Sequence, residues 1–247
     1  MKLARTLFGF HAVLARLRAD PKSVQEVFLD EARDDARARD LVKAAEAAGV
    51  HIMRVPAQRL DGMQGGGRHQ GVIAHAQLLA MPTNLDDLLD EVSGPPMLLV
   101  LDGITDPHNL GACLRVADAA GVHAVVAPKD RAAGISAAVS KVASGAAETV
   151  PYFMVTNLAR TLDELKESSI WIVGADERAE TSLYQANIPE AVAWVLGAEG
   201  EGMRRLTRER CDLLVKIPMQ GSVVSLNVSV ASGICLFESV RRRLADK

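Results

Sequence analysis

Three polar stretches of the 247-residue chain, all beyond residue 100, each follow a short apolar run, and each carries groups able to hold a ligand. The first, Leu101 to Arg115, contains Asp102, Asp106, His108, Asn109 and Arg115. The second, Val195 to Met203, contains Gly197, Glu199, Gly200 and Gly202. The third, Ile217 to Ser229, contains Ser225, Asn227 and Ser229. Such loops offer exposed backbone groups and a few side-chain hydrogen bonds, the usual furniture of a small-molecule site. Each also has a plain structural reading. Asn109 suits the start of a helix, Ser225 and Asn227 the start of another, Arg115 a solvated helix face, and the glycines a tight turn. The case for function rests on convergence, because open α/β sheets bind ligands at the carboxyl ends of their strands.

Spacing excludes the familiar chemistries. Residues 197–202 read G-x-x-G-x-G, which is not the dinucleotide fingerprint, and no P-loop or G-x-S-x-G elbow occurs. The cysteines, Cys113, Cys211 and Cys235, lie far apart with no C-x-x-C pair for zinc or redox work. What remains is an α/β enzyme that holds a small cofactor.

The positioning elements follow from periodicity. From Met97 onward, strands at Met97–Leu101, Ala124–Ala127, Ile170–Gly174, Val192–Leu196 and Leu213–Ile217 alternate with helices at Leu110–Ala120, Ser136–Ala147, Asn157–Glu167, Arg204–Arg210 and Asn227–Ala245. Apolar strands between helices predict a mostly parallel sheet covered on both faces. Residues 1–76 predict a small α/β domain. Phe10, Val13, Leu14 and Leu17 form one helix stripe, Val24–Leu29, Val50–Val55 and Val72–Ala76 read as strands, Asp34–Gly49 as a helix, and Asp61–Gly71 as a flexible loop. Residues 77–96, with Pro82, Gly94, Pro95 and Pro96, read as a linker between this domain and a second domain over 97–247.

Charge sharpens the division. The net charge of −3 combines +3 over residues 1–76, −4 over 77–95 and −2 over 96–247. The basic front suits nucleic acid, and aromatics at 4% argue against a broad stacking platform. The N-terminus starts positive, but His11, Arg16 and Arg18 break its apolar stretch. No run approaches the ~20 apolar residues of a membrane span, so the expectation is a cytoplasmic protein without a membrane partner.

In order and spacing, the stretches Asp102–Arg115, Leu196–Met203 and Ile217–Asn227 resemble the three motifs of the SpoU family of RNA 2′-O-ribose methyltransferases, within the SPOUT superfamily. Gly9-x-His11-x-Val13 and His69-Gln70-Gly71-Val72 resemble the L30-like substrate-binding domain that precedes the catalytic domain in many members. Within the family the similarity is strongest to bacterial enzymes acting on a guanosine ribose of 23S rRNA, in the peptidyl-transferase P-loop. The resemblance implies a trefoil knot in the C-terminal domain, a homodimer, and S-adenosylmethionine as methyl donor with no metal. It also implies donor contacts at Leu196, Gly197, Ala198, Ile217, Met219 and Leu226, and catalytic roles for Arg115, Glu199, Asn109, Ser225 and Asn227. Guanidinium groups stay protonated, so Arg115 is expected to grip phosphate and steady an oxyanion rather than act as base. His108 is the competing base. In the front domain, Arg54, Arg59, Arg68 and His69 are expected to meet RNA. A tRNA ribose methyltransferase and a non-catalytic RNA-binding protein are the alternatives.

Overall fold

The front of the chain builds a small sheet flanked by helices: β1 (Ala4–Phe8), α1 (Phe10–Ala19), β2 (Val24–Asp30), α2 (Ala36–Ala47), β3 (Ile52–Val55), α3 (Ala57–Met63) and β4 (Val72–Gln77). The computed structural model describes residues 4–63, 69–77 and 84–245. Strand order is β1-β4-β2-β3, with β4 antiparallel to both neighbours and β3 parallel to β2. The expected stripe on α1 is buried at Phe10, Val13 and Leu17, packed with Ala38, Leu41 and Ala45 of α2 over one sheet face. Asp35 caps α2 by accepting the Arg37 and Ala38 N–H groups at 3.0 and 3.3 Å. Two details differ from the periodicity reading. A strand, β1, precedes α1, and residues 61–63 finish α3 instead of opening a loop; the rest of that glycine-rich stretch, 64–68, lies outside the described residues.

Arg16 is buried within α1. Its guanidinium donates to the Gln77 carbonyl at 2.8 Å and to the carboxylate of Glu148, which is buried as well. Glu148 ends a single 3₁₀ turn, Ala146–Glu148. Contacts divide the chain into Met1–Met81 with Ser144–Thr149, and Pro82–Ala143 with Val150–Lys247. The segment around Glu148 therefore belongs to the first unit although it lies deep in the second half of the sequence. A buried charge is tolerated only with a partner, and the Arg16–Glu148 pair joins this segment to α1.

The second unit runs α4 (Leu85–Glu91), β5 (Met97–Asp102), α5 (Pro107–Ala120), β6 (Ala124–Pro128), α6 (Ala137–Ala143), β7 (Tyr152–Val155), α7 (Leu158–Glu167), β8 (Trp171–Ala175), β9 (Thr181–Ser182), β10 (Val192–Gly197), α8 (Arg205–Arg210), β11 (Leu213–Lys216) and α9 (Val228–Ala245). Its sheet has the order β7-β6-β5-β10-β8-β11-β9, every adjacent pair parallel. Three expectations change. The stretch read as a linker contains α4, whose Leu85 and Leu88 are buried with Leu98, Val126 and Leu162, so residues 84–91 are part of this unit's core; 78–83 lie outside the described residues. The helix expected over 136–147 stops at Ala143, where Ser144 takes a positive φ of 53°. β7 and β9 are additional strands of four and two residues, too short to show a period.

Parallel pairing puts all strand ends at one edge. Gly197 of β10 lies opposite Asp102 of β5, and Leu196 opposite Ala175 of β8. The loops after β5, β8, β10 and β11 therefore leave together.

On α9, the Glu238 carboxylate is 5% exposed and accepts from Arg241 at 2.8 and 2.9 Å and from Arg242 at 2.8 Å. The hydrogen bonds from Arg241 act most strongly, burial opposes them, and with Arg242 they hold its pKa down at about 2. A depressed carboxylate stabilises the fold above its unfolded value of 4.5 and stops doing so as pH falls toward about 2. Glu238→Gln should therefore melt below wild type at neutral pH, with the gap closing between those two pH values; a gap that is constant with pH contradicts this.

Candidate functional site

The turn after β10 is built by its glycines. Ala198 and Gly202 exchange backbone hydrogen bonds of 3.2 and 2.8 Å, which folds residues 199–201 into a tight loop. At Gly197 a Cβ would lie 2.0 Å from the Gly202 carbonyl carbon and 2.1 Å from the Met203 nitrogen, so only glycine fits. Beside this turn is a cleft of about 220 Å³. Leu196, Gly197, Ala198, Ile217, Met219 and Leu226, the six residues expected around a cofactor, all line it. The glycines thus make a tight turn and border the cleft at the same time.

Sequence reasoning missed one wall, Ala175 to Arg178, which follows β8. Nothing in its composition marks it; only the strand order places it at this edge. Asp176, 8% exposed, accepts from the Arg208 guanidinium at 2.7 Å and from the Arg178 N–H at 2.8 Å. Burial opposes its charge, but these bonds prevail and hold its carboxyl below the usual range.

At the cleft the polar groups converge. Glu199 Oε1 accepts from Asn227 Nδ2 at 2.6 Å, from Asn109 Nδ2 at 3.4 Å and from the Val228 N–H at 3.4 Å. Asn227 Nδ2 also donates to Asn109 Oδ1 at 2.9 Å, while Asn227 Oδ1 accepts the Ser229 N–H at 3.0 Å and its hydroxyl at 2.6 Å. Asn227 therefore caps α9 and orders the cluster at the same time. The carboxylate of Glu199 lies at the N-terminus of α9, where the helix dipole favours negative charge. Asn109 does not cap α5. That task falls to Asp106, which accepts the His108 N–H at 2.9 Å with Pro107 at the first helical position.

Asn109 and Cys113 share the α5 stripe that faces α9, where Cys113 Sγ is 3.6 Å from Ser232 Oγ. Gly111 lies on another stripe, with room against Val142 and Val139 of α6 for nothing larger than hydrogen. Arg115 is one turn beyond Gly111. It is exposed, about 120° around the helix and about 9 Å along it from Asn109. Among the described residues its guanidinium has no hydrogen bond or ion pair, so the structure does not join it to the Glu199 cluster. Among the described residues neither Ser225, which lines the cleft, nor the exposed His108 side chain makes a hydrogen bond to that cluster.

In the first unit, Arg54 and Arg59 are exposed; Arg54 Nη1 donates to the Arg33 carbonyl at 3.3 Å, and the Arg59 guanidinium sits 5.9 Å over the Phe28 ring. His69 is engaged on both sides. Its Nδ1 accepts the Gly71 N–H at 3.0 Å, which leaves the ring proton on Nε2, 3.0 Å from Asp61 Oδ1. Arg68 lies outside the described residues. Among the described residues no helix is long and apolar enough to cross a membrane.

Comparison with known proteins gives concordant results. The sequence pattern of the SpoU rRNA methylase family matches residues 96–237, and the pattern described as RNA 2′-O ribose methyltransferase substrate binding matches residues 6–82. A 23S rRNA (guanosine-2′-O-)-methyltransferase, RlmB, of Ralstonia nicotianae is 62% identical over 243 residues, covering 98% of both chains. The crystal structure of an RNA 2′-O ribose methyltransferase superposes with a TM-score of 0.75 at 27% identity, covering 98% of this chain and 90% of that one. The SpoU methyltransferase AviRb of Streptomyces viridochromogenes, solved in complex with AdoMet, shares the fold with a TM-score of 0.73 at 24% identity, over 98% of this chain and 91% of its own.

Proposed function

The chain belongs to the SpoU rRNA methylase family, and from that premise we propose that it methylates the ribose 2′-hydroxyl of a guanosine in 23S rRNA, with S-adenosylmethionine as donor. The observation that carries the reading is the Asn109–Glu199–Asn227 cluster at the wall of the strand-end cleft. The cleft suits the donor. Leu196, Ile217, Met219 and Leu226 give it aliphatic walls for an adenine ring, and Gly197 and Ala198 bring backbone to the same wall. The donor supplies an electrophilic methyl on a sulfonium.

This chain's own residues then have to orient and deprotonate the hydroxyl. Glu199 Oε1 is occupied by Asn109, Asn227 and the Val228 N–H, while Oε2 has no hydrogen-bond partner among the described residues. That free oxygen is the one to receive the ribose hydroxyl. Ser225, on the same wall, offers a neutral hydroxyl to the nucleotide. Arg115 completes the site from a second copy, gripping phosphate and steadying the oxyanion as a permanent cation. Support for a second copy comes from α9, whose Val230, Phe237 and Leu244 recur every seven residues and are 51%, 48% and 66% exposed, an apolar stripe that water would not leave uncovered. We include the trefoil threading in the reading, with the loops after β10 and β11 as the threaded ones. The work belongs in the cytoplasm, which suits three free thiols.

The test uses labelled methyl donor with 23S rRNA and, as the control, tRNA. Wild type should label 23S rRNA, and Arg115→Ala and Glu199→Ala should each be severely impaired. Mixing the two inactive variants under conditions of subunit exchange should restore about a quarter of wild-type activity, because half the random dimers carry one intact shared site. No labelling of either RNA by wild type, with donor binding absent, would make it a non-catalytic RNA-binding protein; labelling of tRNA alone would reassign the substrate.

A further inference from the structure

The loop that follows β6 is pinned from four sides. The Lys129 N–H donates to the Val155 carbonyl at 2.8 Å, the Ala133 N–H to the Ile104 carbonyl at 2.8 Å, and the Tyr152 hydroxyl to the Ala133 carbonyl at 2.7 Å. Arg204 donates to the Asp130 carboxylate and to its carbonyl, both at 3.2 Å. Arg204 is itself held by the buried Asp102 carboxylate, 3.0 Å from its Nε and 2.8 Å from its backbone N–H. The loop thus sits against the first residues of the stretch that leads to Asn109, and a Cβ on Gly103 would lie 4.0 Å from the Arg131 carbonyl.

Arg204 is shared between the Asp102 and Asp130 carboxylates, so these groups together with Lys129 and Arg131 carry a net positive charge. Lys129 and Arg131, on either side of Asp130, are exposed with no ion pair among the described residues. Within the same unit Arg160, Arg178, Arg205, Arg208 and Arg210 pair with carboxylates, whereas Arg115 and Lys141, like Lys129 and Arg131, are exposed without an ion pair among the described residues. Arg131 also has a φ of 53°, a left-handed conformation that disfavours any residue with a Cβ and that glycine would adopt freely. A strained arginine held in place by a pinned loop points to a task for its side chain.

We propose that Lys129 and Arg131 grip backbone phosphates of the RNA strand beside the target ribose, an RNA contact on the catalytic unit additional to those expected of the front unit. The proposal rests on the rRNA-methylation reading above. Phosphodiesters are the fitting partner, since Lys supplies a point charge and Arg a fork that matches two phosphate oxygens, and neither must first give up an internal partner.

The test measures methyl transfer to a 23S rRNA fragment over a range of salt. Lys129→Ala with Arg131→Ala should raise KM for RNA about tenfold and flatten the log–log salt dependence by about 1–2 units, the loss of two phosphate contacts. Affinity for S-adenosylhomocysteine, measured by calorimetry, should stay at the wild-type value, and Lys129→Arg with Arg131→Lys should recover most of the RNA affinity. Arg131→Gly separates side chain from fold: it should melt no lower than wild type, since the strain is relieved, yet bind RNA more weakly. An unchanged KM and salt slope in the double alanine variant overturns the proposal. Failure of wild-type protein to methylate any RNA overturns instead the reading beneath it.

Discussion

Glu199→Gln should lower the single-turnover rate of methyl transfer by about 10²-fold and Glu199→Ala by about 10³-fold, the scale at which a well-placed charged group acts in a preorganised site. The two variants separate charge from geometry. Glutamine keeps an oxygen that can accept from Asn227 Nδ2, 2.6 Å away in the wild type, and from the Val228 N–H at 3.4 Å, so the cluster and the start of α9 survive. What it loses is the negative charge that would draw the proton from a ribose hydroxyl at Oε2, which has no partner among the described residues. Alanine removes the acceptor as well, leaving the Asn227 amide only its bond to Asn109 Oδ1 at 2.9 Å. Donor affinity should change little in Glu199→Gln, because the aliphatic walls at Leu196, Ile217 and Met219 are untouched. A Glu199→Gln enzyme with a wild-type rate removes Glu199 from the chemistry and returns attention to His108.

Residue types and short periods revealed the parallel sheet and the three loops, because both are local properties. Apolar runs such as Met97–Asp102, buried throughout, and Val192–Gly197, buried as far as Leu196, announce strands covered on both faces. Which strands are neighbours is not local. β8 lies between β10 and β11, and only that order brings Ala175–Arg178 to the cleft; nothing in its residues would have singled it out. The same limit hid the place of Glu148, since its partner Arg16 is 132 residues away. The acidic stretch at 84–91 misled in the opposite way. Its charges and flanking prolines suggested a linker, yet Leu85 and Leu88 recur three apart and drive α4 into the core, while Asp86 and Asp87 favour its N-terminus.

The Asn109 reading was half legible for a similar reason. Asn, Asp and Ser all cap helices, and the run Asp106-Pro107-His108-Asn109 offers two candidates. Proline prefers the first helical turn, which assigns the cap to Asp106 and frees the Asn109 side chain to reach Glu199, 90 residues on. Arg115 remains apart from that cluster within one chain, which is why a second copy enters the proposed site.

Gly197→Ala should weaken donor binding by about 10²-fold, the upper end of the ~1–3 kcal/mol that overpacking costs. The three atoms nearest the new Cβ, at 2.0, 2.1 and 2.3 Å, are all backbone of Gly202 and Met203, so no side-chain rotation relieves the clash. The turn itself must open. Opening it breaks the Ala198–Gly202 hydrogen bonds of 3.2 and 2.8 Å and shifts Ala198 and Glu199, which carry a wall of the cleft and the centre of the polar cluster. Two neighbouring glycines act as internal controls. Gly221→Ala has open space and ordinary backbone geometry, so it should bind donor as wild type does; Gly200→Ala also has open space but a φ of 79°, so it should lose only the ~1–2 kcal/mol of a left-handed residue. Calorimetry with S-adenosylhomocysteine, alongside thermal melting, reads all three. If Gly197→Ala binds as tightly as Gly221→Ala, the turn yields without disturbing the cleft, and the donor is held somewhere other than beside Leu196, Gly197 and Ala198.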